Sequence, residues 1–137
     1  MKGPVLLDTG PLVALLNRRE RTHAQVKAAL EQLPSALFTA EPVLAEAMFL
    51  LRAVPGGPER VLHLVRDGLI RLPFAIETEV AAVIALMTRY ADVPMSLADA
   101  CLVRMVELMP DASVLTLDSD FRIYRARKGR VIQLVDL

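Results

Sequence analysis

The stretch Val5-Leu6-Leu7-Asp8-Thr9-Gly10-Pro11 constrains this chain more than any other. Three aliphatic residues in a row, ending in a carboxylate, read as a strand buried on both faces that presents Asp8 at its carboxyl end. Gly10 and Pro11 stop the strand. Pro11 suits the first turn of a helix over residues 12–16, where its missing amide hydrogen costs nothing. In open α/β sheets the working crevice lies beyond the carboxyl ends of the strands. The question for the rest of the chain is which side chains meet Asp8 at that edge.

The remaining pattern alternates helix and strand. Thr22 is a candidate cap for a helix over residues 22–33, ended by Pro34 and Ser35, and residues 36–39 form a short strand. Residues 42–51 (PVLAEAMFLL) are apolar nearly all round, which predicts a buried helix. Pro55-Gly56-Gly57-Pro58 is a breaker, after which an amphipathic helix over 59–67 stops at Gly68. A strand over 69–74 precedes a long helix over 77–90, with acids at its start and Arg89 at its end as the helix dipole favours. Val93-Pro94 marks a loop before a helix over 96–108. A strand over 113–117 runs into Asp118-Ser119-Asp120, followed by a short basic helix over 121–127 and a last strand over 131–135. This alternation predicts an α/β fold whose central parallel sheet is covered on both faces. No linker or repeat interrupts it, so a single domain is expected over residues 1–137.

Composition narrows the function classes. Of the 137 residues, 54% are hydrophobic but only 4% aromatic, which predicts an aliphatic core and leaves apolar surface for a partner. Sixteen basic residues balance sixteen acidic ones, so bulk charge does not drive nucleic-acid binding, and such a role needs a local basic surface. The single Cys101 excludes an internal disulfide. Residues 1–4 lead straight into the first strand, leaving no room for a secretory signal, and the longest apolar run, residues 80–87, is too short to span a bilayer. A cytoplasmic protein without a membrane anchor is expected.

Four regions supply acids of interest. Asp8 alone is also at home as a helix cap, a task that Thr9 could take over. Glu46 has only apolar neighbours at helical spacing (Pro42, Val43, Phe49 and Leu50), so its carboxylate is either desolvated or at the lip of a cleft. An ion pair with Arg52 or another arginine is the competing reading. Asp99 stands three residues after Ser96, in the spacing of a capping box. Asp118 and Asp120 follow the fourth strand and are also ordinary turn residues. Thr116 shares the side of the strand on which Asp118 lies and is placed to hydrogen-bond a carboxylate. Convergence of these acids calls for a hard cation to offset their repulsion. No His or Cys spacing suggests zinc, and His23 and His63 are expected at the surface. Carboxylate-only ligation favours Mg²⁺ or Mn²⁺ and suits phosphodiester hydrolysis.

The segments VLLDTGPLVALL, TAEPVLAEAMFLL, YADVPMSLADACLV and VLTLDSDFRIYR, in this order, resemble the PIN-domain ribonucleases, specifically the VapC-type toxins of toxin–antitoxin pairs. The resemblance spans nearly the whole chain. It implies a three-layer α/β/α fold with a five-stranded parallel sheet of order 3-2-1-4-5. It implies a Mg²⁺- or Mn²⁺-dependent endoribonuclease with Asp8, Glu46, Asp99 and Asp118 as catalytic ligands and Asp120 as a second candidate at the last position. Thr9, Ser96 and Thr116 take supporting places, Ser96 standing where some members carry Asp. The resemblance also implies a homodimer and an antitoxin laid across the groove.

For RNA, the cations Arg104, Arg122, Arg125, Arg127 and Lys128 are the candidates for backbone phosphates, with Arg130 close behind and Arg18, Arg19 and Arg21 flanking the first helix. The few aromatics point to recognition by shape, as of a structured RNA such as tRNA, rather than to a stacking platform. Two other classes compete: a phosphotransferase with Asp8 as nucleophile, which usually wants an acid where Gly10 stands, and a non-catalytic PIN-fold binding module, which would be expected to have lost one of the acids.

Overall fold

The structure, a computed structural model, describes residues 3–33 and 36–137. Pro34 and Ser35, expected to end the second helix, lie outside the described residues, as do Met1 and Lys2. Five short strands, β1 (Val5–Leu7), β2 (Leu37–Phe38), β3 (Ile70–Arg71), β4 (Ser113–Leu115) and β5 (Gln133–Leu134), form one sheet of order β3-β2-β1-β4-β5. Every pairing is parallel. Among the described residues, six helices flank it in a three-layer arrangement: α1 (Thr9–Leu16), α2 (His23–Glu31), α3 (Glu41–Leu50), α4 (Gly57–Arg66), α5 (Ile76–Arg89) and α6 (Leu97–Leu108).

Val5, Leu6 and Leu7 are fully buried because strands lie on both sides and helices cover both faces. The core is aliphatic, gathered from β1, β4, α1, α3 and α6, with Phe121 and Tyr124 as its largest aromatic members. At the centre the chain reverses direction of growth. β1 pairs on one side with β2 and on the other with β4, Leu7 standing opposite Leu115. The crevice beyond the ends of β1 and β4 is therefore the topological switch point of the sheet.

Several elements differ from the sequence expectations. β3 ends at Arg71 rather than at residue 74, since Pro73 has no amide hydrogen for a ladder. The fourth strand stops at Leu115, after which Thr116 turns its hydroxyl to a side chain, and Leu117 is exposed. The last strand spans only Gln133–Leu134. The first helix starts at Thr9, not at residue 12, and Asp8 is its cap. Thr22 makes no side-chain capping bond. The basic stretch over 121–127 is not one helix: a 3₁₀ turn over Ser119–Arg122 and another over Arg127–Gly129 flank a short link, bridged from Arg125 to Val131. His23 is half-buried, its Nδ1 donating to the Ala14 carbonyl at 2.7 Å, whereas His63 is exposed as expected.

The largest revision concerns α3. It buries Val43, Leu44 and Ala47, yet Glu46, Phe49 and Leu50 are exposed, with Phe49 at 62%. Only one stripe of this apolar helix is needed to pack on α1, α4 and α6. Together with Ile84 of α5, 60% exposed, it leaves apolar surface facing outward.

Candidate active site

The β1–β4 register builds the first half of the site. The Asp8 amide donates to the Leu115 carbonyl at 3.0 Å, extending the ladder one residue and setting Asp8 beside Thr116. Asp8 Oδ2 accepts the Thr116 hydroxyl at 2.6 Å, and Asp8 Oδ1 accepts the Thr9 amide at 2.8 Å. Asp8 thus caps α1 and faces the crevice at once; the two roles posed as alternatives are held by the same side chain. Thr9, freed from capping, donates its hydroxyl to Glu46 Oε1 at 3.0 Å. Glu46 sits at the lip, and Arg52 is not its partner: that guanidinium donates to the Phe49 carbonyl and lies 4.0 Å from the centre of the Phe49 ring.

The second half comes from α6 and the segment after β4. Ser96 caps α6 by accepting the Asp99 amide at 3.1 Å. Asp99 Oδ2 accepts the hydroxyl of Tyr124 at 2.8 Å. The Asp118 amide donates to the Thr116 hydroxyl at 2.9 Å, so Thr116 ties Asp8 to the Asp118 turn. Asp118 Oδ1 in turn accepts the Asp120 amide. One groove is lined by Asp8, Thr9, Glu46, Ser96, Asp99, Asp118 and Asp120, with Gly10, Pro94 and Leu117 completing the wall. All five candidate acids, from four separate stretches of the sequence, meet there.

The electrostatics match a site that holds positive charge. Asp8 is only 6% exposed, and burial, reinforced by the neighbouring Asp99 and Asp118 carboxylates, pushes its pKa up to about 6 despite its two hydrogen bonds. Burial also raises Asp99, against the lowering effect of the Tyr124 hydroxyl, and Asp118 adds repulsion. Among the described residues, no Lys or Arg pairs with any acid of the groove. The hydroxyls of Thr116, Thr9 and Tyr124 hold Asp8, Glu46 and Asp99 in place without neutralising them. A set of oxygen donors with excess negative charge fits a hard divalent cation. Among the described residues, no three of these side chains form a preassembled cage.

The cations are placed unevenly. Arg104 is not at the groove: its guanidinium pairs with Glu79 of α5 at 2.7 Å and with Glu107 at 3.2 Å, a local tie between α5 and α6 rather than a site for phosphate. Arg125 Nη1 donates to the carbonyls of Arg122, Ile123 and Tyr124, bracing its own loop. Arg122, Arg127 and Lys128 are exposed, with no side-chain partner among the described residues. Sequence reasoning passed over Tyr124 as a site residue. Its signal was faint: one of two tyrosines in the chain, four residues after Asp120.

A parallel sheet of order 3-2-1-4-5 within three layers, with carboxylates gathered at its switch point, defines a class of α/β/α proteins built around an acidic groove. The PIN domain family matches residues 5–127, and the chain belongs to that family. Among solved structures, the chain is similar to VapC20 of Mycobacterium tuberculosis, a toxin that cleaves the sarcin–ricin loop. The TM-score is 0.75 at 18% identity, over 85% of this chain and 91% of that one, a likeness of fold. No curated protein matches the sequence.

Proposed function

We propose that the chain is a metal-dependent endoribonuclease, the toxin of a toxin–antitoxin pair. The observation that carries this reading is the meeting of five acids from four separate stretches in one groove, with no cationic side chain among the described residues to neutralise them. Asp8, Asp99 and Asp118 would hold Mg²⁺ or Mn²⁺, with Asp120 as the outer alternative and Glu46 beside Thr9 at the lip of the groove. When bound, the ion supplies two things: a lowered pKa for a water molecule and charge neutralisation at the scissile phosphate. The hydroxyls of Thr116 and Thr9 fix the rotamers of Asp8 and Glu46, as partners of ligands do in metal sites. Glu46 commits only Oε1, to Thr9, and its Oε2 is available to take a proton from the attacking water.

The reading draws support from family membership and from the fold shared with a toxin described as an RNA cleaver. Arg122, Arg127 and Lys128 are the phosphate contacts, suited to a structured RNA such as tRNA. The exposed apolar surface on α3 and α5 suits protein partners, an antitoxin and a second copy of the chain. Among the described residues no helix is long and apolar enough to cross a membrane, and the proposed setting is the cytoplasm, with the RNA.

Incubation with total RNA tests this reading. Cleavage by the wild type should stop with EDTA, return with Mg²⁺ or Mn²⁺, and fall at least about 100-fold in Asp8→Asn, the scale expected for losing a group that stabilises charge in the transition state. Cleavage that persists in EDTA, or in Asp8→Asn, would refute it.

A further inference from the structure

We infer that Tyr124 is a positioning residue for Asp99 and, through it, for the ion-binding groove; the inference rests on the metal reading above. Tyr124 is fully buried, and its ring is wedged between two others. Tyr90, at the end of α5, lies at a centroid distance of 5.1 Å and Phe121 at 5.2 Å, both edge-on. This packing fixes where the phenol points, and it points at Asp99 Oδ2, 2.8 Å away. The Tyr124 amide donates to the Asp120 carbonyl at 3.1 Å, so the backbone that carries Asp118 and Asp120 is tied to the same residue. The Tyr90 hydroxyl bonds none of the groove acids and accepts the amide of Arg125 instead, so it serves as a control for the loss of a buried phenol.

Two acidic elements that approach the groove from different sides of the sequence are therefore tied to one residue, Asp99 of α6 through the phenol and the Asp118–Asp120 loop through the Tyr124 amide. Thr116 does the equivalent work between Asp8 and Asp118. Tyr124 completes the pattern: three carboxylates, each oriented by one neutral hydroxyl from a distant part of the chain. A lysine or arginine in that position would fix Asp99 equally well but cancel the charge that attracts the ion.

The composition makes the contact readable. The chain has two tyrosines and no tryptophan, so its intrinsic fluorescence comes from Tyr90 and Tyr124 alone. A hydrogen bond to a carboxylate quenches tyrosine, and a cation drawn to Asp99 weakens that bond. We would titrate the metal-free protein with Mg²⁺ and follow the heat of binding and the tyrosine fluorescence, for wild type, Tyr124→Phe and Tyr90→Phe. Both variants keep the ring and remove only a hydroxyl. The wild type should bind Mg²⁺ with a rise in fluorescence, and Tyr90→Phe should do the same from its remaining tyrosine. Tyr124→Phe should bind about 10-fold more weakly, as when the partner of a metal ligand is lost, with no rise. Unchanged affinity in Tyr124→Phe, or equal weakening in both variants, would overturn the inference and leave the metal reading standing. A wild type that takes up neither Mg²⁺ nor Mn²⁺ would overturn the metal reading and the inference with it.

Discussion

Asp8 shows how much a single side chain can be asked to carry. It caps α1, extends the β1–β4 ladder through its amide, and shares a groove with four other acids. Burial pushes its carboxyl up to about 6 in the fold from an ordinary value of 3.8. Because the folded value is raised, the folded state holds the proton more tightly than the unfolded chain. The resulting stabilisation is full below pH 3.8 and is lost as pH rises through 6, a decline of about 3 kcal/mol for a two-unit shift. Chemical denaturation of the metal-free protein across this range should show that decline, and Asp8→Asn should remove most of it; an identical pH dependence in the variant would contradict the account. Divalent ion should restore stability to the wild type at neutral pH, since the ion binds the ionised form of the native state.

At the scale of elements, the legible features were those that depend on local pattern. The aliphatic run before Asp8 and the Gly-Pro after it announced a buried strand and its end. Ser96 and Asp99, three residues apart, announced the start of α6. Features set by packing were hidden. The apolar sequence of α3 gave no hint of which stripe would be buried, so Glu46 was open to being desolvated or at a lip until the neighbours of α3 were known. Tyr124 reaches Asp99 across 25 residues, a contact no spacing rule encodes. Arg104 lay on the right helix for an RNA contact, but its partner Glu79 sits on α5, and only the packing of α5 on α6 brings them together. Arg104→Gln should therefore lower stability by roughly 1–2 kcal/mol, the cost of leaving part-buried acids without their donor. RNA affinity should stay unchanged. A loss of RNA binding at unaltered thermal stability would return Arg104 to the substrate surface.

For the molecule as a whole, neutral net charge conceals a division of labour. Acids crowd one end of the sheet, and the cations that follow them in sequence stay at the surface. Replacing Arg122, Arg127 and Lys128 together with Ala should weaken binding of a catalytically dead protein to RNA and flatten its log-affinity against log-salt plot by roughly 2–3 units, at one phosphate per cation. An unchanged slope would place the RNA elsewhere. The fold order was expected from resemblance to a known family, and the alternation of strands and helices alone required only a parallel sheet. What makes the order matter is that it sets β1 beside β4, so that Asp8 and Asp118 share one hydroxyl, that of Thr116. Anomalous diffraction from crystals soaked in Mn²⁺ tests this account most directly. It predicts a Mn²⁺ peak in the groove, directly coordinated by oxygens of Asp8 and of at least one of Asp99 and Asp118. A protein that shows no such peak, or that binds Mn²⁺ only elsewhere, would contradict it.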